Sequence, residues 1–458
     1  MFTRYQGTLY NVMAKSAERL DDYTYRLTMY DYVTDCLGNA LDAHDAVFCY
    51  TRALEKGNLG NWMNGLKEIR LIDDYTFELE FSTTASGTYE ASVTNVFVFS
   101  RELYQSDPDE MANIAYGTGA YMAKDYVPGS GLLLVKNENY WQKDKSLQGP
   151  FAAQNIDEIE FKVIRESAQM SIALETGEID MMGYFPQTEL YLFEEGGSAK
   201  GFKVHSIPDT LTRVLLYNCH PDNVFSNQTL RQAVSYAIDC EAIVLGAYIG
   251  KGEVVKTYGS TAYPDHLDKW LTEDYYDYNP EKAKQLLLEA GFSPGDLTVK
   301  IMTNTNTLHI RMAEIIQGDL TAVGIKSEIL SYESALYTSL YFEPDAYDIR
   351  IENRGSSDYV VTIFKNSFDH NMFNGKTTNS LVDERMQELL MVAVDSRTRN
   401  AETTDAFHQY LKESAAGIGL AHGLTNFVYI DTIESLMIDM RQRLVPGACV
   451  YTDAFVGG

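Results

Sequence analysis

The sequence predicts an α/β protein with more than one lobe, and three observations carry this. The length of 458 residues exceeds what a single hydrophobic core serves and suggests two or three lobes. Residues 297–330 read strand, helix, strand: 297–302, a helix from about 308 to 323 stopped at Gly324, then 325–330. Such a βαβ unit implies parallel strands and a right-handed crossover. Earlier, residues 121–127, the turn Pro128-Gly129-Ser130-Gly131 and residues 132–135 read as a β-hairpin.

The other elements follow in chain order. Residues 21–29 form a strand, and Gly38-Asn39 a turn. Residues 41–49 lead into a helix through Tyr50-Thr51-Arg52-Ala53-Leu54. Residues 72–81 form one strand, alternating in its second half as a half-buried strand does. Gly117-Thr118-Gly119 is a turn, because glycine takes positive φ without a Cβ clash. Ile156, Ile159, Phe161, Val163 and Ile164 mark a strand, and residues 167–176 a helix that Gly177 ends. Residues 228–249 read as one helix, with Leu230, Ala233, Val234, Ala237 and Ile238 on a single face. Asn279 caps the next helix, Pro280 suits its first turn and Gly291 its end. After the βαβ unit come a strand at 347–351, a long loop, a helix around 382–394 and a strand at 427–430.

Composition excludes several functions. The 65 acidic against 37 basic residues give a net charge of −28, which argues against nucleic acid and against anionic membrane surfaces. The apolar fraction of 45% is ample for burial, yet no apolar run is long enough to span a membrane. Five cysteines occur, at 36, 49, 219, 240 and 449, with no CxxC and no Cys/His metal spacing. Cys219 and Cys240 are a conceivable pair; isolated buried thiols are the preferred reading. There is no GxSxG elbow, P-loop, HExxH or GxGxxG after a strand. No catalytic residue, metal site or cofactor is expected. A glycosidase-like pair of carboxylates is a matter of separation in space, which sequence does not give.

Several segments together carry a resemblance. Gly117-Thr118-Gly119-Ala120-Tyr121, Asn139-Tyr140-Trp141, the 156–164 strand and Ala173-Leu174-Glu175-Thr176-Gly177-Glu178-Ile179-Asp180 occur in a telling order. Ala43 to Phe48, Phe225 with Arg231-Gln232-Ala233, and Tyr278-Asn279-Pro280-Glu281-Lys282-Ala283 through Gly291 add to it. This order resembles the oligopeptide-binding proteins of ABC importers, the family 5 solute-binding proteins. The resemblance implies a type II periplasmic-binding-protein-like fold, two lobes joined by a hinge with a ligand cleft between them. Lobe I would hold residues 1–217, including the family's extra subdomain, lobe II 218–426, and 427–458 would return to lobe I. The family pattern begins near Ala14-Lys15-Ser16-Ala17-Glu18, so an export signal and the first strand of lobe I are expected to precede this sequence.

The function so implied is capture of a small peptide and delivery to the permease subunits of an ABC importer. The protein is expected to be a monomer outside the cytoplasm, as a cell-surface lipoprotein or in the periplasm. It would meet the membrane only through a lipid anchor that this sequence does not carry. A nickel chelate or an oligosaccharide is the alternative ligand, and a secreted hydrolase with paired carboxylates the alternative class.

A peptide buried by lobe closure needs a carboxylate for its ammonium. The resemblance places that carboxylate at Asp358, in Arg354-Gly355-Ser356-Ser357-Asp358-Tyr359. The backbone of Ser356 and Ser357 would pair with the peptide main chain, as in β-augmentation. Arg354 is a candidate partner for a ligand carboxylate, with a surface arginine as the plainer reading. Gly355 stands where the family commonly has an aromatic residue, and Val360-Val361 where polar or acidic residues usually follow. Either departure would widen the pocket or mark another ligand.

Overall fold

The computed structural model describes residues 1–5, 8–56, 63, 65–108, 116–355, 359–370 and 377–455. They fall into two compact units. Unit 1 holds Met1–Ser206 and Thr425–Gly458, and unit 2 holds Ile207–Leu424.

Unit 1 opens with an antiparallel pair, β1 (Phe2–Tyr5) and β2 (Thr8–Asn11). Then come β3 (Ala14–Arg19), β4 (Thr24–Met29), helix α1 (Ala43–Lys56), β5 (Leu66–Asp73) and β6 (Thr76–Phe81). The four strands form one antiparallel sheet in the order β3-β4-β6-β5. Residues 72–81, read as one strand, are the end of β5 and the whole of β6. The reason is an Asx turn: the Asp73 carboxylate accepts from the Tyr75 N–H at 2.9 Å and reverses the chain. Asp21 does the same before β4, accepting from Tyr23 and Thr24 N–H at 2.8 Å each. Helix α1 begins at Ala43, seven residues before Tyr50, because Asp42 accepts from His44 and Asp45 N–H at 2.8 and 3.2 Å.

A second sheet, β7-β8-β9, joins the expected hairpin, Tyr121–Val127 and Gly131–Lys136, to Glu158–Lys162. Helix α2 (Ser167–Glu175) ends at Gly177, whose φ is +73°. A short strand β10 (Met181–Met182) follows, then the long β11 (Phe202–Tyr217), which leaves unit 1 after Ser206.

Unit 2 continues with α3 (Gln228–Ala237) and α4 (Cys240–Ala247), β12 (Gly252–Val254), α5 (Pro280–Glu289), β13 (Thr298–Asn304), α6 (Thr307–Ala322), β14 (Lys326–Tyr332) and β15 (Ile349–Arg354). Three helices follow, α7 (Val360–Phe368), α8 (Glu384–Val394) and α9 (Ala401–Ser414), and then β16 (Gly417–Ile430), which re-enters unit 1 at Thr425. Within unit 2 the strand order is β16-β11-β15-β13-β14, with β12 on the other side of β16. The expected βαβ unit is present, with β13 parallel to both β14 and β15.

Residues 228–249 are two helices, not one. Ile238 is extended, and the Asp239 carboxylate accepts from Ala242 N–H at 3.0 Å to start α4. Asn279 caps α5 through Lys282 N–H at 3.0 Å, and Gly291 has φ +91°. Part of the long loop expected after 351 is helix α7.

The alternation of β15 with β11 sorts the core. Ile349 and Ile351, with Tyr217 and Leu215 opposite, face the cluster of α3, α4, α5 and α6. Val214 and Leu216, opposite Glu352 and Arg350, face the cluster of α7, α8 and α9. Helices thus cover both faces of a mixed sheet, with β13 parallel to β14 and β15 and β11 antiparallel to β15. The five thiols are free; Cys240 is half-buried and the other four are buried.

Candidate functional site

Strands β13, β14 and β15 run parallel and end at Asn304, Tyr332 and Arg354. In open α/β sheets the carboxyl ends of such strands are where ligands bind. Of the predicted site residues, Arg354 ends β15 and Gly355 follows it. Ser356, Ser357 and Asp358 lie outside the described residues; Arg354, Gly355 and everything from Tyr359 into α7 are described.

Arg354 is neither free nor at the surface. Its side chain is only 11% exposed and meets the Glu352 carboxylate at 2.5 Å. Its Nε–H donates to Ser367 Oγ at 2.8 Å and its Nη2–H to Thr378 Oγ1 at 3.3 Å. Glu352 also meets Arg350 at 2.9 Å and accepts from the Tyr341 hydroxyl at 3.0 Å. Arg350 is fully buried, donates to the Thr378 carbonyl at 2.8 Å, and lies 3.8 Å from the Tyr341 ring centre. Arg350, Glu352 and Arg354 alternate along β15, so all three project from one face as a buried charge ladder. Burial opposes ionisation of Glu352, yet Arg354 and Arg350 hold its carboxyl below the usual range.

Gly355 has a different explanation from a widened pocket. A Cβ there would stand 2.5 Å from the Thr210 carbonyl oxygen and 3.2 Å from Leu211 Cα. The backbone of β11 occupies the space an aromatic side chain would need. Val360 and Val361 are both fully buried among α7, α8 and α9.

Their N–H groups reveal a residue the sequence reading missed. The Asp265 carboxylate accepts from Val360 N–H at 2.7 Å and from Val361 N–H at 3.2 Å, capping α7 from another part of the chain. Burial raises the Asp265 pKa, and these two hydrogen bonds oppose the rise. Nothing local in Tyr263-Pro264-Asp265-His266 signals this role, because the partner lies 95 residues away. The Glu352 signal was present as charge with period two around Ile351.

On the opposite face His309 Nε2 is 2.8 Å from Asn353 Oδ1, and burial lowers the pKa of its imidazole. His408, deep in unit 2, stacks on Trp270 with ring centres 4.3 Å apart and bonds Thr257 at 3.1 Å. Among the described residues no group of three or more His, Cys, Asp or Glu is placed to hold a metal ion.

This architecture is that of the type II periplasmic binding proteins. A putative peptide-binding protein, AppA, of Clostridium difficile matches it with a TM-score of 0.83 over 99% of this chain and 94% of its own, at 19% identity. HbpA2 of Haemophilus parasuis gives 0.86 over 98% and 93%, also at 19% identity. The chain belongs to the bacterial extracellular solute-binding proteins, family 5, whose middle region matches residues 8–375.

Three curated relatives are similar to it. The heme-binding protein A of Haemophilus influenzae is 28% identical, over 59% of this chain and 49% of its own. The dipeptide-binding protein of Escherichia coli is 24% identical, over 65% and 57%. The nickel-binding periplasmic protein of the same organism is 24% identical, over 72% and 65%. The chain therefore spans about half to two thirds of the length of these relatives.

Proposed function

We propose that this protein captures a small peptide outside the cytoplasm and delivers it to the permease of an ABC importer. In this reading unit 1 is lobe I and unit 2 is lobe II, and the two close on the ligand. Asp358 receives the peptide ammonium, and the backbone of Ser356 and Ser357 pairs with the peptide main chain. Arg354 acts from below, held in the charge ladder, and is not the partner of a ligand carboxylate.

The observation that carries the reading is that Arg354 ends β15 at the carboxyl edge of parallel strands, with Gly355 next in the chain, in a protein of this family. Relatives named for dipeptides support the ligand class. The ligand is returned chemically unchanged, so peptide incubated with the protein should be recovered intact.

A metal chelate is the second reading, favoured by the similarity to a nickel-binding protein over 72% of this chain. Thermal unfolding with pools of di- to pentapeptides separates the two. A peptide at about 100 times its Kd adds roughly 2.7 kcal/mol and raises the midpoint. A midpoint unmoved by every peptide pool but raised by a nickel–histidine complex would replace the first reading with the second.

A further inference from the structure

The parallel strands of unit 2 have a second edge. Leu297 and Ile325 immediately precede β13 and β14 and mark the amino edge, at the other end of the strands from Asn304 and Tyr332. Beside them lies a cavity of about 220 Å³. Leu287 and Leu288 of α5, Phe292 and Pro294 after that helix, and Val323 after α6 form its walls. Protein interiors pack at the density of organic crystals and hold few voids larger than a water molecule. An apolar cavity of about 150 Å³ already has room for benzene. Among the described residues, only Lys284 and Ser293 bring polar side chains to the lining. A water inside would find too few polar partners, so the space favours an apolar group.

The walls are tied together by the backbone, so the cavity is preformed. Gly295 N–H donates to the Gly324 carbonyl at 2.7 Å. Gly324 lies so close to Pro294 that a Cβ there would stand 2.9 Å from Pro294 Cβ. Phe292 N–H donates to the Leu287 carbonyl and Ile325 N–H to the Leu320 carbonyl, each at 2.9 Å. Small-molecule sites are of this kind: concave, mostly apolar and largely preformed, with a few polar groups that set orientation.

Charge says what kind of molecule fits. Lys284 lines the cavity one turn before Leu287 and Leu288. Its Nζ meets Glu281 at 2.9 Å, but both side chains are open to solvent, and such a surface pair contributes little. A second ammonium is close by, since Lys326 Nζ donates to the carbonyl of Gly295, the residue after Pro294, at 2.8 Å. The Asp296 carboxylate is turned onto Ser293 N–H at 2.9 Å. Leu288 is 61% exposed, so an apolar surface and a cation reach solvent on the same helix.

We propose that this cavity is a second small-molecule site, for an aromatic monocarboxylate. The ring fills the apolar space and the carboxylate meets Lys284 in a charge-assisted hydrogen bond. The site lies wholly within unit 2 and does not rest on the reading of the protein as a peptide carrier.

The test titrates the full chain with phenylacetate and, separately, with toluene, and follows the methyl resonances of isoleucine, leucine and valine. Phenylacetate should shift the methyl signals of Leu287, Val323 and Ile325 and leave those of Val360 and Val361, on the other face of the sheet, unmoved. Lys284→Gln should weaken phenylacetate at least threefold and leave toluene unchanged. Leu288→Glu places a carboxylate beside the cavity and should weaken phenylacetate at least tenfold. Leu245→Glu, at another exposed leucine of unit 2, should bind like the wild type. All three substitutions are at solvent-exposed side chains, and the wild-type titration needs none of them. Absence of binding at millimolar phenylacetate overturns the proposal, as do shifts confined to other methyl groups. Equal weakening by Leu288→Glu and Leu245→Glu also overturns it. So does undiminished phenylacetate binding in Lys284→Gln, which would leave a cavity that takes apolar molecules without regard to charge.

Discussion

Ile349 and Ile351 on one face of β15 and Arg350 on the other are all closed to solvent, yet they are stable there for opposite reasons. Each isoleucine gains about 1.5–3 kcal/mol simply by leaving water. Arg350 loses several kcal/mol of hydration by the same move and recovers it only from fixed partners. Those partners are Glu352 at 2.9 Å, the Thr378 carbonyl at 2.8 Å and the Tyr341 ring. The apolar face tolerates trimming, because each contact contributes separately. The charged face is a unit, because removal of one member leaves the others buried and unpaired. It is the charged face that continues to Arg354 at the end of the strand.

The largest effect expected from breaking this contrast is at Glu352. Glu352→Ala strands two guanidinium groups and should lower stability by about 3–5 kcal/mol at pH 7, read by urea unfolding. The sign of its pH dependence follows from its lowered folded pKa. The contribution is present above the ordinary value of 4.5 and is lost as pH falls through the lower folded value. Unfolding midpoints of the wild type should therefore drop more steeply in acid than those of Glu352→Gln. Equal acid slopes would mean that the ladder contributes no ionisation-linked stability.

Ile351→Ala on the apolar face should cost about 2–4 kcal/mol and leave that acid slope unchanged. A changed slope would show that the two faces are coupled. At the end of the strand, Gly355→Ala forces a methyl group against the β11 backbone and should cost about 1–3 kcal/mol. If the glycine is there only to widen a pocket, the same substitution would leave stability intact.

The smallest effect lies outside the sheet. Asp319 accepts from Asp239 N–H at 3.0 Å, and burial, together with the Asp239 charge, raises its pKa from 3.8 to about 6. A raised folded pKa favours the protonated acid in the native state. Its contribution is present below 3.8 and is lost as pH rises through about 6. Asp319→Asn keeps an acceptor for Asp239 N–H without the charge. It should match or modestly exceed the wild-type midpoint at pH 7 and flatten the profile between pH 4 and 6. A midpoint below the wild type at pH 7 would contradict this.

Much of the fold was legible because its signals are local. The hairpin at 121–136 shows in the turn Pro128-Gly129-Ser130-Gly131 between two strand-like runs, and the βαβ unit in two apolar strands around a periodic helix. The cap of α5 is written in Asn279-Pro280, whose partner is three residues away. The misreadings share a cause. Asp73 and Asp239 interrupt runs whose apolar pattern continues through them, and their side chains, not the pattern, end the element. The proposal of a site at Arg354 to Asp358 rests on the family resemblance alone, since nothing in the composition of that segment marks it as a site.

The sequence by itself determined the α/β class, most of the strands, the helix boundaries set by nearby caps, and the family. These follow from periodicity and short-range hydrogen bonds, which act between residues a few positions apart. Only the tertiary structure decided that Arg354 is held within a buried ladder, that Gly355 yields its space to β11, and that Asp265 caps a helix 95 residues further on. Those facts depend on burial and on distance between segments far apart in the chain, and desolvation gives charges their weight only once the fold has brought them together.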